Sequence, residues 1–317
     1  MSEVWTAFEH HIWKNLKESG LDLHDNFILA VSGGLDSMVL LEVFLKLKPK
    51  AKLKVAYFHH GPSEDKILIE YRDRARDFLK HKISGLKNEN ISFFTEESQE
   101  RLATENEMRN SRWQFLKSLM SSDEVLVTAH HLDDRLETLL LKMIRGTSID
   151  GFLSFKMWNQ EIFRPFLETS KTDILSYSQK QGVDWIEDPS NKDEHYLRNW
   201  IREKWLKDLD AKVISGRENL AKSLYKIGQY SSENQTLELV CDPRSESIVL
   251  SRQWYVSLSK ADQLRSLALF LKKHQIYTFT SGQLEEIRKR LDKNQKDITF
   301  ELLGKKWVIK ASQIMLQ

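Results

Sequence analysis

The residues best suited to chemistry lie near the N-terminus, in the run Ser32-Gly33-Gly34-Leu35-Asp36-Ser37. Paired glycines let a backbone turn tightly and aim successive N–H groups inward, which makes a nest for an anion. A helix starting just beyond adds its positive end. Ser32 and Ser37 can contribute hydroxyl donors. A Walker loop would place a lysine here for phosphoryl transfer. Asp36 stands in the loop instead, a residue type that holds magnesium on a pyrophosphate, so the implied cleavage lies between the α and β phosphates of a nucleotide. The plain alternatives are a tight strand-to-helix connection and an N-cap aspartate.

A second group is Thr128-Ala-His-His-Leu-Asp-Asp134. His130, at a strand end, can contact an α phosphate or serve only packing. Asp133 and Glu137 are four apart and share a helix face, which could hold an ammonium group or help to deprotonate it. Asp134 also fits a helix N-terminus through the dipole alone. Arg109 and Arg112 stand three apart beside Glu105, and Arg198, Asn199 and Arg202 form a further polar stripe. Both arginine pairs read either as phosphate or RNA contacts or as solvated faces. His59-His60-Gly61 lacks the cysteine pair or HExxH spacing of a metal centre and suits a nucleotide pocket better.

Such groups need elements to position them. Short runs rich in Val, Ile and Phe at 26–32, 53–60, 91–95 and 124–130 predict buried strands. Helical periodicity fills the gaps at 38–46, 64–82, 104–119 and 133–144. Alternation with short connections predicts right-handed crossovers and a parallel sheet flanked by helices, an α/β class, with ligands at the carboxyl ends of the strands. The SGGLDS, HHG and TAHHLDD runs all fall at those ends. Beyond Gly146 the pattern predicts a hairpin around Asn159 and Gln160, a helix from about Lys171, a strand in VDWIED, and a helix from His195 to about Leu209. Loss of periodicity at 209–217 predicts a boundary between residues 1–210 and a smaller, mainly helical module at 211–317. In that module helices are predicted near 218–230 and 260–292, with strands at 248–251 and 298–315.

The chain has 317 residues, 40% of them hydrophobic, enough for two cores. Its 48 Lys and Arg against 46 Asp and Glu leave +2, which neither demands nor excludes a nucleic-acid partner. One cysteine, Cys241, excludes a disulfide framework, a cysteine zinc site and an iron–sulfur cluster. With no signal-peptide or membrane-length apolar run, the cytoplasm is the expected setting.

AVSGGLDS resembles the signature of the PP-loop ATP pyrophosphatases. Five further strings resemble one family within them, the tRNA(Ile)-lysidine synthetases: FHHG at 58–61, ENEMRNSRW at 105–113, TAHHLDDRLETLLLKMIRG at 128–146, RPF at 164–166 and EDPSNKDEHYLRNWIR at 187–202. Departures are Pro62 and Ser63 in place of an aliphatic and a basic residue, Trp113 in place of tyrosine, and Pro189 at a variable position. The C-terminal hundred residues match only loosely, through SGQLEEIRKRL.

The resemblance implies that ATP adenylates the carbonyl oxygen of the wobble cytidine of a CAU-anticodon tRNA(Ile), and that free L-lysine displaces AMP to give lysidine. It implies catalytic roles for Asp36, His130, Asp133, Glu137, Arg109 and Arg112. Nucleotide contacts are implied at Ala30, Ser32, Gly33, Gly34, Leu35, Asp36, Ser37, His59 and His60, with Mg2+ on Asp36. Substrate contacts are implied at Glu105, Arg109, Arg112, Asp134, Arg198, Asn199 and Arg202. Residues 211–317 become a tRNA-contacting module. No membrane partner is expected, and a homodimer is left open. A thiolase would need cysteines that Cys241 alone does not supply. An amide-forming synthetase would release pyrophosphate without tRNA, and a non-catalytic RNA-binding protein would bind tRNA and form no AMP.

Overall fold

A computed structural model of the chain describes residues 5–146, 155–189, 197–232, 239–241, 248–292 and 297–316. Five strands, β1 (Asn26–Ala30), β2 (Lys52–His59), β3 (Ile91–Glu97), β4 (Val125–Thr128) and β5 (Ile162–Phe163), form a sheet of order β3-β2-β1-β4-β5. Every neighbouring pair is parallel, as the alternation of elements predicts. In register, Phe27 pairs with Leu53 on one side and Val125 on the other.

The helices start where the chain supplies caps. Thr6 and Glu9 close a capping box on α1 (Ala7–Glu18), and Thr104 and Glu107 close another on α4 (Glu105–Ser118). Asp65 caps α3 (Lys66–Gly85), and Ser170 caps α6 (Lys171–Gln181), which ends at Gly182 in the left-handed region. The remaining helices of this part are α2 (Leu35–Leu47) and α5 (Leu132–Ile144). Helix α2 buries Met38, Val39, Leu40, Leu41, Val43 and Phe44 because it is covered by the sheet, α1 and α6 at once.

Side-chain alternation divides the core. Phe27, Leu29, Val55 and Val127 pack with Leu41, Ala75 and Leu79 on one face. Ile28, Ala56, Phe58 and Leu126 pack with Phe115 and Leu116 of α4 on the other. The path runs outward through β2 and β3, then α4 carries it under the sheet to β4, beside β1 again. That reversal opens a crevice at the carboxyl ends of β1 and β4.

Asn159 and Gln160 form the expected reversal: Asn159 Oδ1 accepts from the N–H of Glu161 and Ile162, and Trp158 bridges Phe163. The strand expected in VDWIED does not form; Ile186 N–H instead donates to the Gly33 carbonyl at 2.9 Å, so this segment braces the glycine loop. The helix start expected at His195 lies outside the described residues, as do residues 190–196 of the long motif. From Leu197 the chain runs as α7 (Leu197–Trp200), a π-helical turn (Ile201–Trp205) and α8 (Leu206–Lys212), followed by α9 (Gly216–Ser232).

Two compact units divide the chain, residues 1–141 with 155–222 and residues 142–154 with 223–317. The second unit has an antiparallel sheet of order β6-β7-β10-β9-β8, made of β6 (Leu239–Cys241), β7 (Ile248–Ser251), β8 (Ile298–Leu302), β9 (Lys305–Ile309) and β10 (Gln313–Leu316). Its helices are α10 (Arg252–Ser257), α11 (Lys260–Lys273) and α12 (Ser281–Asp292). Leu250, Tyr255, Phe270, Ile287, Trp307 and Ile314 are in its core. The 260–292 stretch is two helices, and Gln275 takes a φ of 62° between them.

Candidate active site

The loop from Ser32 to Ser37 joins β1 to α2, and Gly34 caps the helix with no side chain on the helix N-terminus. Gly33 has φ 85°, which calls for glycine, while an added Cβ would only reach ordinary contact with the Ala75 Cβ of α3 at 3.4 Å. Ser37 is buried. Its Oγ donates to the Gly34 carbonyl at 2.9 Å and accepts from Ser32 N–H at 3.1 Å. Of the two serines expected to supply hydroxyls, buried Ser37 braces the loop, and exposed Ser32 is the one open to an anion. Ala30 ends β1, and Leu35 turns its side chain into the core, leaving its backbone to the site.

Asp36 lies in the first turn of α2, and Lys171 Nζ reaches its two oxygens at 2.6 and 2.7 Å. His131 Nε2 is 3.8 Å from the same carboxylate. His131, 5% exposed, also stands 3.4 Å from Asp133 and 3.5 Å from Asp134. Burial works against its charged form, but Asp134, Asp133 and Asp36 outweigh it and hold its pKa above the ordinary value.

Helix α5 carries its three acids into one network of cations: Asp134 and Glu137 share Arg198 and Arg202, while Asp133 pairs with Arg217. Asp133 accepts from Arg217 Nη1 at 3.0 Å and from the Lys171 N–H at 3.1 Å. Asp134 accepts from the His131 N–H at 3.1 Å, which is its helix-end role, and it also takes Arg198 Nη2 at 3.3 Å. Glu137 is 0% exposed and accepts from Arg198 Nε at 2.8 Å and Arg202 Nε at 2.6 Å. Desolvation opposes ionisation of Asp133 and Asp134. The His131 and arginine charges still hold both well below the usual carboxylate range. The Asn199 side chain lies outside the described residues.

Arg109 and Arg112 are on the exposed side of α4. Arg112 stands in a crowded but open wall. Desolvation, then the Arg109 and Arg198 charges, lower its pKa. Glu105 is 4.0 Å from Arg198 Nη1, which links the start of α4 to α7. Arg164 is buried over the Phe155 ring at 4.8 Å, and desolvation followed by Arg109 brings its pKa down to about 10. Arg109 thus lies close enough to act on both Arg112 and Arg164, an accumulation of positive charge that a polyanion would relieve.

The strand-end histidines divide. His60 is half-buried and packs edge-on to Phe58, with desolvation and Arg112 lowering its pKa to about 4. His130 bonds Thr128 Oγ1 at 2.8 Å and packs edge-on to Phe155, and burial takes its pKa to about 3. Both stay neutral at neutral pH, so they offer hydrogen bonds and leave charge stabilisation to the arginines and Lys171. His59 is 1% exposed. Its Nδ1 accepts from the Gly61 N–H at 3.1 Å, and the ring faces Asp73 and Glu97. The expectation that His59 lines a nucleotide pocket is corrected, because strand alternation turns it under α3, away from His60.

Comparison with known proteins follows the same lines. Residues 6–209 match a family model described as a PP-loop domain. A tRNA(Ile)-lysidine synthase of Bdellovibrio bacteriovorus is 36% identical over 320 residues, covering 100% of this chain and 99% of the relative. The chain belongs to the tRNA(Ile)-lysidine synthase family. The synthase of Haemophilus ducreyi is 30% identical over 91% of this chain and 67% of its own. The synthase of Staphylococcus aureus is 28% identical over 94% and 72%. Among solved structures, the U34-tRNA thiolase NcsA from Methanococcus maripaludis shares the fold, with a TM-score of 0.52 and 12% identity over 75% of this chain and 83% of that one.

Within this family frame, His131, Lys171, Arg164 and Arg217 are the site members that sequence reasoning missed. Among the described residues no three His, Cys, Asp or Glu side chains are grouped as a metal site. A cation held jointly by one carboxylate and substrate phosphates fits better, and Asp36 at the start of α2 has the right chemistry for Mg2+.

Proposed function

We propose that this synthase-family chain joins lysine to the wobble cytidine of a CAU-anticodon tRNA(Ile), with ATP as the activating substrate. The supporting observation is the juxtaposition at one crevice of the uncapped helix end behind Gly33 and Gly34, the acids of α5 and the arginines of α4 and α7. The uncapped N-terminus of α2 and the glycine nest bind the β and γ phosphates. Bound Mg2+ on Asp36 would neutralise charge on the departing pyrophosphate. The cytosine carbonyl oxygen attacks the α phosphorus, and the bond to the bridging oxygen breaks. His130 and His60 offer neutral hydrogen bonds, while Arg109 and Arg112 receive the developing negative charge and the tRNA phosphates.

In the second step the lysine side-chain amine forms a C–N bond at the activated carbon, AMP leaves with the oxygen, and the amine loses a proton. Asp133 and Asp134 border the crevice and suit a lysine ammonium group. Glu137, covered by Arg198 and Arg202, positions those two cations. The target base must leave the anticodon stack to reach the crevice, as single-stranded RNA allows. Residues 1–210 are the catalytic part in this reading and 211–317 the tRNA-contacting part, with exposed Lys305 and Lys306 as first positions to test. Among the described residues no helix is long and apolar enough to cross a membrane. The sole cysteine suits a reducing cytoplasm. A second copy of the chain is a further partner to be read by sedimentation.

The deciding experiment incubates the chain with ATP, lysine and a CAU-anticodon tRNA transcript, then measures nucleoside mass. Lysidine with tRNA-dependent pyrophosphate release is the expected result. Intact tRNA binding without AMP would replace this reading with that of a binding protein.

A further inference from the structure

Lys171 makes a bidentate contact with the glycine-loop aspartate, its Nζ lying 2.6 and 2.7 Å from the two Asp36 oxygens. Its backbone is fixed independently. Ser170 caps α6, the Lys171 N–H donates to Asp133 Oδ2 at 3.1 Å, and Leu132 N–H donates to the Thr169 carbonyl at 3.0 Å. The start of α6 is thus docked on the start of α5, while the Lys171 side chain is 45% exposed. Its neighbours are differently held: Arg198 and Arg202 are both committed to buried Glu137, and Arg217 to Asp133.

The pair is partly open to solvent, Lys171 45% and Asp36 28% exposed, and a pair of this kind adds little to stability. The place it occupies favours anions, because the glycine nest and the uncapped end of α2 both present N–H groups there. A triphosphate arriving at that end meets the Asp36 carboxylate as a like charge. Asp36 would hold magnesium there, and Lys171, released from that carboxylate, would be free to pair with phosphate. Lysine suits the exchange, being a compact charge with three donors on a flexible stem.

We propose that Lys171 is a phosphate-binding residue of the adenylation site: its ammonium group, paired with Asp36, would turn to the departing pyrophosphate where that carboxylate holds magnesium. This rests on reading the chain as an adenylating enzyme. Arg198 and Arg202 then border the cytidine and lysine side, and Lys171 serves the leaving group.

The test is calorimetric titration of the full chain with inorganic pyrophosphate and with Mg-ATP, in magnesium, for wild type and for Lys171→Met, Lys171→Arg and the double variant Asp36→Asn/Lys171→Met. Lys171→Met should weaken pyrophosphate binding by about tenfold or more, and Lys171→Arg by no more than about threefold, since either cation makes charge-assisted bonds to phosphate. The double variant should bind no more tightly than Lys171→Met. Thermal melts of the same samples identify any variant that has not folded, and Lys171→Arg carries the comparison if Lys171→Met fails to fold. Wild-type pyrophosphate affinity in Lys171→Met overturns the proposal. Wild-type affinity in the double variant also overturns it, because Lys171 would then only neutralise Asp36. A wild-type chain that binds neither probe rejects the adenylation reading as well, whereas normal wild-type binding with unchanged variants rejects this inference alone.

Discussion

Arg202 grips Glu137 with two bonds, Nε to Oε1 at 2.6 Å and Nη2 to Oε2 at 2.9 Å, around a carboxylate that solvent does not reach. Arg198 shares the same carboxylate. Removing the acid leaves two part-buried guanidinium groups with Asp134 as the acid they share. Glu137→Ala should therefore cost about 3–5 kcal/mol in urea denaturation, and Glu137→Gln clearly less. An unchanged midpoint for Glu137→Ala would show that the clamp is not structural.

Asp36 sits in the first turn of α2, beside the glycine loop. Asp36→Asn should abolish tRNA-dependent pyrophosphate release while tRNA affinity stays within about threefold, because the proposed RNA phosphate contacts are arginines. Pyrophosphate release at the wild-type rate would remove Asp36 from the reaction.

The two adjacent histidines just before α5 should respond to pH with opposite sign. His131 has its pKa raised, so its contribution to stability is complete below its ordinary value of 6.5 and disappears as pH rises through the folded value. His130 has its pKa lowered to about 3, so the unfolded chain binds the extra proton, and stability falls as pH drops from 6.5 toward that value. The slope for one such group is at most about 1.4 kcal/mol per pH unit. Urea midpoints should show that His131→Asn flattens the alkaline decline and His130→Asn the acid one. Parallel profiles for both variants and wild type would refute the assignment.

Gly33 and Gly61 both have positive φ, 85° and 71°, yet their substitution should fail differently. A Cβ at Gly61 would lie 2.1 Å from the Ser98 carbonyl oxygen, and Arg72 already fixes the Gly61 carbonyl at 2.8 Å. Gly61→Ala should lose more stability than the roughly 1–2 kcal/mol of left-handed strain alone. Gly33→Ala meets only Ala75 at 3.4 Å, so its larger effect should fall on Mg-ATP affinity. Equal melting of the two variants, read by calorimetry, contradicts this.

The frame was readable because its signals are local. Phe27, Val55, Ile91 and Val127 announce buried strands, and capping boxes at Thr6 and Thr104 mark helix starts. The acids of α5 were readable from their spacing. Their partners were not. Arg217 follows a stretch without periodicity, and Lys171 looks like any first residue of a helix. Contacts such as Arg217 with Asp133 join residues 84 positions apart, and no local pattern encodes them. His59 and His60 are indistinguishable as neighbours in a string, and only the pleat of β2 sends one inward. VDWIED has strand-like composition, but the free edge it would need is absent where Ile186 meets Gly33.

The return of the chain to β4 beside β1 also separates two kinds of specificity in the gene. In the proposed reading the turn after β1 grips the nucleotide, while the residues that would meet the acceptor are spread over α4, α5 and α7, all encoded downstream of that turn. Such a layout would let changes that retarget this scaffold accumulate from α4 onward and leave the turn after β1 alone.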